Sequence, residues 1–570
     1  MNVGSVASVA TLVRQLGLSP GIERLRALAG MDALLDDDTM TAILAEADRF
    51  SADRLTPFDR DADRAGCTLR DGRVELAPGH GDVWAAYRDA GWGATDIPQS
   101  HGGQGLPAAL AMPIQELFDR GSVSFGMAPG AARSAARLLL THAATDIAGA
   151  WVPAFATGEA GATICISEPD AGSDVGRIRT AATRQGDAWR VTGEKIWISY
   201  GDHPLNDRIA HLVLARSDPA TAGTRGLSLF LVPSTMEGDD GGERRNAVIV
   251  RRMEEKLGLH GSPTCALGFE DAAAILIGAE GRGVPQLFRM IVAMRLQVGT
   301  QGLGLASACL LAAAHYAEER RQGGPRDRPA VPIVAHADVQ LMLIGMAARI
   351  ATLRGIVYAA AVTADLADLD PDAQARAEAA ALLGWLLPIV KNSGAETAYD
   401  IAGEAILLFG GAGYTTEWPI ERHLRDARIL AIYEGTTGMQ ALDLVRRRWL
   451  PRDAGYEAFV AAIAADLARL PDACAHPLRG LLDQLESATT WLRDTARGDI
   501  EIDAAARAGL KAATLVAHGW AGARLAGSDD AALVACGRHA LSIATEQLPG
   551  AIVAMREGTA RIEAFADMAT

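Results

Sequence analysis

GLSLFLVP at residues 226–233 places Leu227, Leu229 and Leu231 on one face, the period of a half-buried strand. ATICIS (162–167), WRVTGEKIWIS (189–199), AHLVLARS (210–217) and NAVIVRRM (246–253) are likewise short and β-branched or alternating, with Gly, Asp, Ser and Pro between them. No long helical period interrupts them from about 160 to 280, which argues against a parallel βαβ sheet and for a compact antiparallel sandwich or barrel.

On both sides the period is helical. DDTMTAILAEADRF (37–50) and PAALAMPIQELFDR (107–120) put apolar residues three and four apart. After Gly283 the pattern returns, with Leu287, Ile291, Met294 and Val298 on one stripe. It breaks at WLPRDAG (449–455) and resumes to the end. The expected fold class is mainly α with a central β domain. Its segments are a helical domain over 1–158, a β domain over 159–281, a helical bundle over 282–449 and an additional helical region over 450–570.

The chain has 570 residues, a formal charge of −16 and a pI near 5.3, which gives no overall attraction for nucleic acid. The last region carries a net charge of −5, so it is no basic arm. Six scattered cysteines exclude zinc-ribbon and thioredoxin spacings and fit a reducing cytoplasm. The N-terminus lacks a secretory signal pattern. The uncharged run Leu296–Ala317 contains Gln297, Gln301 and His315, and is expected as a buried helix and not a membrane span. There is no HExxH, GxSxG or Walker loop, and no metal site is expected. Gly302-Leu-Gly304 lies in a helical pattern with no strand before it, so close helix packing explains it better than a dinucleotide fingerprint.

Three constellations remain. Cys165-Ile-Ser167-Glu-Pro-Asp-Ala-Gly-Ser173-Asp174 runs from a strand into a turn rich in hydroxyl and backbone donors, an anion-binding concavity or a plain β-turn. In GEKIWISYG (193–201), Ile196 and Ile198 share one face, Trp197 and Ser199 the other. That suits a flat heteroaromatic ligand, or simply a half-buried strand. Glu434 follows an apolar run just before a helix start, with Thr437 and Gln440 at capping-box spacing. A carboxylate there serves as a general base of raised pKa, or merely complements the helix dipole.

CISEPDAGSD (165–174), KIWIS (195–199) and FGGAGYTTEWPIERHLRDARILAIYEGTT (409–437), in this order, resemble the acyl-CoA dehydrogenase family over roughly residues 80–447. The longer N-terminal region, the extra C-terminal helices, LGLHGSPT (257–264) and PIVAHADVQ (332–340) resemble its long bacterial subgroup.

The resemblance implies that family's fold, a helical N-terminal domain, a β-barrel middle domain and a helical bundle. It implies FAD-dependent α,β-dehydrogenation of an acyl-CoA thioester, with Glu434 as base. Some members place the base on another helix, immediately before a matching arginine; here Met294 precedes Arg295 and cannot serve. By the same resemblance Cys165, Ser167, Ser173, Trp197, Ser199 and Thr436 contact FAD, while Arg320, Gln322, Gly410 and Gly411 reach the FAD of a neighbouring subunit. Ser173, Arg295, Gly435 and Arg446 contact substrate, Arg446 at the CoA nucleotide. Val292 and Leu407 depart from the polar residues common in relatives. The implied partners are electron-transferring flavoprotein and further copies of the chain, as dimer or tetramer. An acyl-CoA oxidase on the same fold, or a DNA-associated flavoprotein of the superfamily, are the alternatives.

Overall fold

The computed structural model describes residues 3–238, 241–452, 455–494 and 497–568. The chain forms two compact units. One comprises Met1–Asp48, Ala108–Arg120 and Arg295–Thr570; the other comprises Arg49–Pro107 and Gly121–Met294.

The second unit contains eleven described strands. β1 (Thr68–Arg70) and β2 (Arg73–Glu75) form a small hairpin inside a region whose sequence reads as helical. Three-residue strands are too short to show a period of two. The main sheet comprises β3 (Ala160–Cys165), β4 (Ala181–Gln185), β5 (Ala188–Ser199), β6 (Arg208–Arg216), β7 (Leu227–Pro233), β10 (Val248–Met253) and β11 (Thr264–Ile277). A separate ribbon pairs β8 (Thr235–Glu237) with β9 (Glu243–Arg245). The pairings β11–β5–β4–β6–β7–β11 close on themselves, so the expected barrel forms, with β10 and β3 added outside it.

The expectation of antiparallel pairing needs correcting, because β6 has two parallel neighbours: β3, with Ala160 opposite Arg208 and Cys165 opposite Val213, and β4, which meets it at Ala181 opposite Arg216. Parallel neighbours need a crossover, usually a helix. Here the β4–β5 hairpin, turning at Gly186-Asp187, lies on the chain path between β3 and β6. The barrel interior packs Val213, Phe230, Val232, Ile198, Cys265 and Leu267.

Among the histidines buried in this unit are His203 and His211, the latter bonded through Nδ1 to Thr163 Oγ1 at 2.8 Å. Burial pushes both rings down to about 4. The unfolded chain therefore binds protons that the folded one refuses between pH 6.5 and about 4. Stability is full above that window and falls as pH drops through it, by up to ~3 kcal/mol for each ring. Urea titrations followed by tryptophan fluorescence should show this slope, and His211→Asn should flatten it. An unchanged slope in that variant would exclude His211 as a source.

In the first unit the long helices are Gly283–Glu319, which also contributes residues to the second unit, Ala337–Leu369 and Ala373–Phe409. The first two are long and apolar enough to cross a membrane, yet 78% and 67% of their most apolar windows are buried inside the protein. They are core helices, as expected for Leu296–Ala317. Gly302 and Gly304 serve packing. A Cβ on Gly302 would lie 2.1 Å from the Gly394 carbonyl oxygen, and one on Gly304 would meet the backbone of Asp119 and Arg120. The Ala108–Gly121 helix joins this unit through Glu116, whose buried carboxylate pairs with Arg354 at 2.6 Å and accepts from Tyr358.

The C-terminal helices belong to the same unit. Phe459 stacks on Trp385 at 5.4 Å, Trp449 donates to Thr489, and His518 takes hydroxyl partners on both ring nitrogens, from Thr352 and Ser393.

Candidate active site

In the β unit, the Ile196 N–H donates to the Ser167 carbonyl at 2.9 Å, which sets the end of β3 beside the second half of β5. Beneath this junction lies a buried ion pair. Lys195 Nζ donates to Glu168 Oε1 and to the Ile166 carbonyl, both at 2.8 Å, while Glu168 also accepts from the N–H groups of Arg179 and Thr180. Burial pushes the Glu168 carboxyl up, but Lys195 and these N–H donors outweigh it and hold it below its ordinary range. The pair fastens the Cys165–Asp174 segment to the strand carrying Trp197. Both residues stand in the quoted motifs, but nothing local shows that they meet, 27 positions apart.

β5 is irregular here. Its pairing with β11 slips between Cys265 and Leu267, opposite Ile196 and Trp197. Lys195 and Ile196 are consecutive and both buried, whereas Trp197 is 58% exposed. Trp197 has φ +64, one of six described non-glycine residues in the left-handed region. Such a conformation costs on the order of 1–3 kcal/mol and persists only where the surroundings impose it. The bulge thus turns an aromatic plate outward, on a strand that by alternation alone would present it less fully. Ser167, Ser173 and Ser199 have hydroxyls that donate to no described residue, and none of the three is buried. An outward plate with unspent hydroxyls nearby fits a flavin. Cys165 does not join them. Its thiol is fully buried in the barrel core 3.3 Å from Thr163 Oγ1, and burial pushes it up to about 12, so only its backbone is left for a cofactor.

In the helical unit, the helix Ile420–Leu430 ends in turns that run into the short helix Thr437–Leu442. Glu434 lies between them at φ +52, followed by Gly435 at φ +96. Its carboxylate is partly buried and bonded to no described residue. Burial pushes it up from the ordinary range, while the positive charges of Arg295 and Lys391 pull it back. The Glu434 and Gly435 N–H groups also lack a described partner.

The cap expected at Thr437 sits one residue earlier. Thr436 Oγ1 accepts from the Met439 N–H, and Thr437 donates to Glu396 at 2.9 Å. Gln440 does not close a capping box; it turns back to the Glu434 carbonyl at 2.9 Å. Arg295 is paired with Asp443 at 2.5 Å. Arg446 bonds Asp503 at 2.6 Å and Asp499 at 2.9 Å, so a CoA phosphate could engage it only by displacing carboxylates of the C-terminal helices.

Arg320, Gln322, Gly410 and Gly411 are exposed. Tyr316 stacks on Phe409 at 4.1 Å, bringing together the ends of the helices that these four residues follow. Leu407 and Tyr414, 74% and 87% exposed, stand in the same segment. No group of His, Cys, Asp and Glu able to hold a metal occurs among the described residues.

Comparison with known proteins identifies the class. The family models for the N-terminal, middle and C-terminal domains of acyl-CoA dehydrogenases match residues 37–159, 163–272 and 281–449. The chain belongs to the acyl-CoA dehydrogenase family, FAD-dependent oxidoreductases of fatty acid metabolism that act on acyl-CoA. Among its relatives is the 3-methylmercaptopropionyl-CoA dehydrogenase of Ruegeria pomeroyi, 36% identical over 477 residues that cover 81% of this chain and 78% of the relative. A broad-specificity linear acyl-CoA dehydrogenase of Mycobacterium tuberculosis is 34% identical over 438 residues, covering 74% and 71%. The glutaryl-CoA dehydrogenase complexed with glutaryl-CoA is 27% identical, with a TM-score of 0.61 and coverage of 72% and 95%. ACDH-11 of Caenorhabditis elegans aligns over 94% of this chain and 90% of its own with a TM-score of 0.73, sharing the fold at 20% identity.

Proposed function

We propose that the chain converts an acyl-CoA thioester to its trans-2-enoyl-CoA, with Glu434 as the base. The observation that carries this reading is Glu434 itself, a carboxylate with no described partner, raised by burial and held in a left-handed turn. Bound FAD supplies the acceptor, at flavin N5, for the hydride that leaves the β-carbon. The α-proton goes to the Glu434 carboxylate, and the two electrons of the α C–H bond become the new C=C bond. A thioester α-proton is too weakly acidic for a carboxylate unless the carbonyl is polarised. The unspent Glu434 N–H is the donor this chain offers to that oxygen.

In the β unit, Ser167, Ser199 and Trp197 are assigned to the flavin ring, and Ser173 to the pyrophosphate and pantetheine. Thr436 is a cofactor contact; Arg295, Gly435 and Arg446 are assigned to substrate. Arg320, Gln322, Gly410 and Gly411 reach toward the FAD of a neighbouring subunit in a homo-oligomer, with electron-transferring flavoprotein as acceptor. Their exposure supports that reading.

Purified protein should be yellow with non-covalent FAD and should bleach anaerobically with members of a straight-chain and branched acyl-CoA panel. Trp197→Ala should lower FAD retention without unfolding, because its ring is exposed. Protein that takes up no flavin on incubation with FAD would overturn the assignment.

A further inference from the structure

Lysine is rare in this chain: of 54 Lys and Arg side chains only Lys195, Lys256, Lys391 and Lys511 are lysines. Lys511 is exposed, whereas Lys195 and Lys391 are fully buried, and at a buried point contact a compact ammonium is not interchangeable with a planar guanidinium. Lys391 is fully buried in the Ala373–Phe409 helix. Its neighbour Val390 packs against Gly299, where an added Cβ would lie 2.3 Å from the Val390 side chain. Lys391 Nζ donates to the Gly435 carbonyl at 2.6 Å. Buried Gln440 donates to the preceding carbonyl, that of Glu434. Both carbonyls of a turn with two successive positive φ values are thus tied to buried donors, and the N–H groups of Glu434 and Gly435 are left unspent.

We propose that Lys391 is a positioning residue for the dehydrogenation. Its ammonium holds the Gly435 peptide, and through it the Glu434 carboxylate and N–H, in the geometry that proton transfer and carbonyl polarisation need. This rests on Glu434 being the base. Burial lowers Lys391 to about 8, with Glu434 and Glu396 opposing that shift and Arg295 adding to it, so the amine stays mainly protonated at neutral pH.

The test uses FAD-loaded Lys391→Met and Lys391→Arg, mixed anaerobically with a saturating, turned-over acyl-CoA. The Met variant should bleach ~10²-fold more slowly, the cost of a ~1 Å misplacement, while binding the enoyl-CoA product as wild type does. The acid limb of its pH–rate profile should move to higher pH, since Glu434 loses one of its two positive neighbours. A merely structural role would lower the melting temperature and leave the rate at saturation and the pH profile unmoved. The Arg variant keeps the charge but not the compact donor, so its rate should stay low with the acid limb in place. Wild-type bleaching by folded Lys391→Met overturns the proposal; if that variant cannot hold FAD, wild-type bleaching by Lys391→Arg overturns it. A parallel Glu434→Gln sample separates the two ideas. Bleaching lost there but intact in the Lys391 variants rejects Lys391 alone, whereas bleaching retained there rejects Glu434 as base.

Discussion

Glu434→Gln is expected to retain FAD, bind acyl-CoA and lose flavin bleaching by at least ~10²–10⁴-fold, the usual contribution of a general base. Gln keeps the shape of the side chain and leaves the backbone N–H in place, so the only function removed is proton acceptance. The turn itself should survive, because it is held by the bonds from Lys391 and Gln440 to its carbonyls and not by the carboxylate. If Glu434 only complemented a helix start, Gln would cost at most about 1 kcal/mol of stability and leave bleaching nearly intact. Anaerobic stopped-flow separates the two outcomes, and near-wild-type bleaching in a folded, FAD-loaded variant would remove Glu434 from the mechanism. The wild-type rate should also fall on acidification through a pKa above the ordinary glutamate range. Burial raises this carboxyl, and only its unprotonated form can accept the proton.

Lys195→Met should produce the largest change in stability. Lys195 is fully exclosed from solvent and Glu168 is 7% exposed, so the substitution strands a carboxylate that has lost its cation. Removing one partner of a buried pair costs about 3–5 kcal/mol. Two N–H donors, from Arg179 and Thr180, remain on Glu168 and soften the loss without cancelling it. The same change should release the Cys165–Asp174 segment from β5 and weaken FAD retention. Lys195→Met combined with Glu168→Gln should recover much of the stability, since no charge is then stranded. Because Glu168 is held below its ordinary range, the pair's contribution is present at neutral pH and lost as pH falls through that lowered value. Thermal melts across pH read this directly, and a single variant melting like wild type would show that the pair holds nothing.

Much of the candidate site was legible because its signals are local. Trp197 between Ile196 and Ile198, Ser167 at the end of a strand, and Glu434 before a helix start are all read from neighbours a few positions away. The helical, β and helical order came from periods of 3.6 and 2.0, which any short window displays. Even the packing role of Gly302 and Gly304 followed from a helical pattern with no strand before it.

What only the tertiary structure decided is which distant groups meet. Lys391 reaches Gly435 across 44 positions, Lys195 reaches Glu168 across 27, and Arg446 meets Asp499 across 53. No period encodes those separations; they depend on the path of the chain and on which side chains burial forces together. The parallel β3–β6 pairing depends likewise on the crossover path through the β4–β5 hairpin. Trp197 is a mixed case. Its identity and strand were plain from the sequence, but its outward turn depends on a bulge created by the register of β5 against β11. Pairing register is a property of two strands, and a single stretch of sequence carries only one of them.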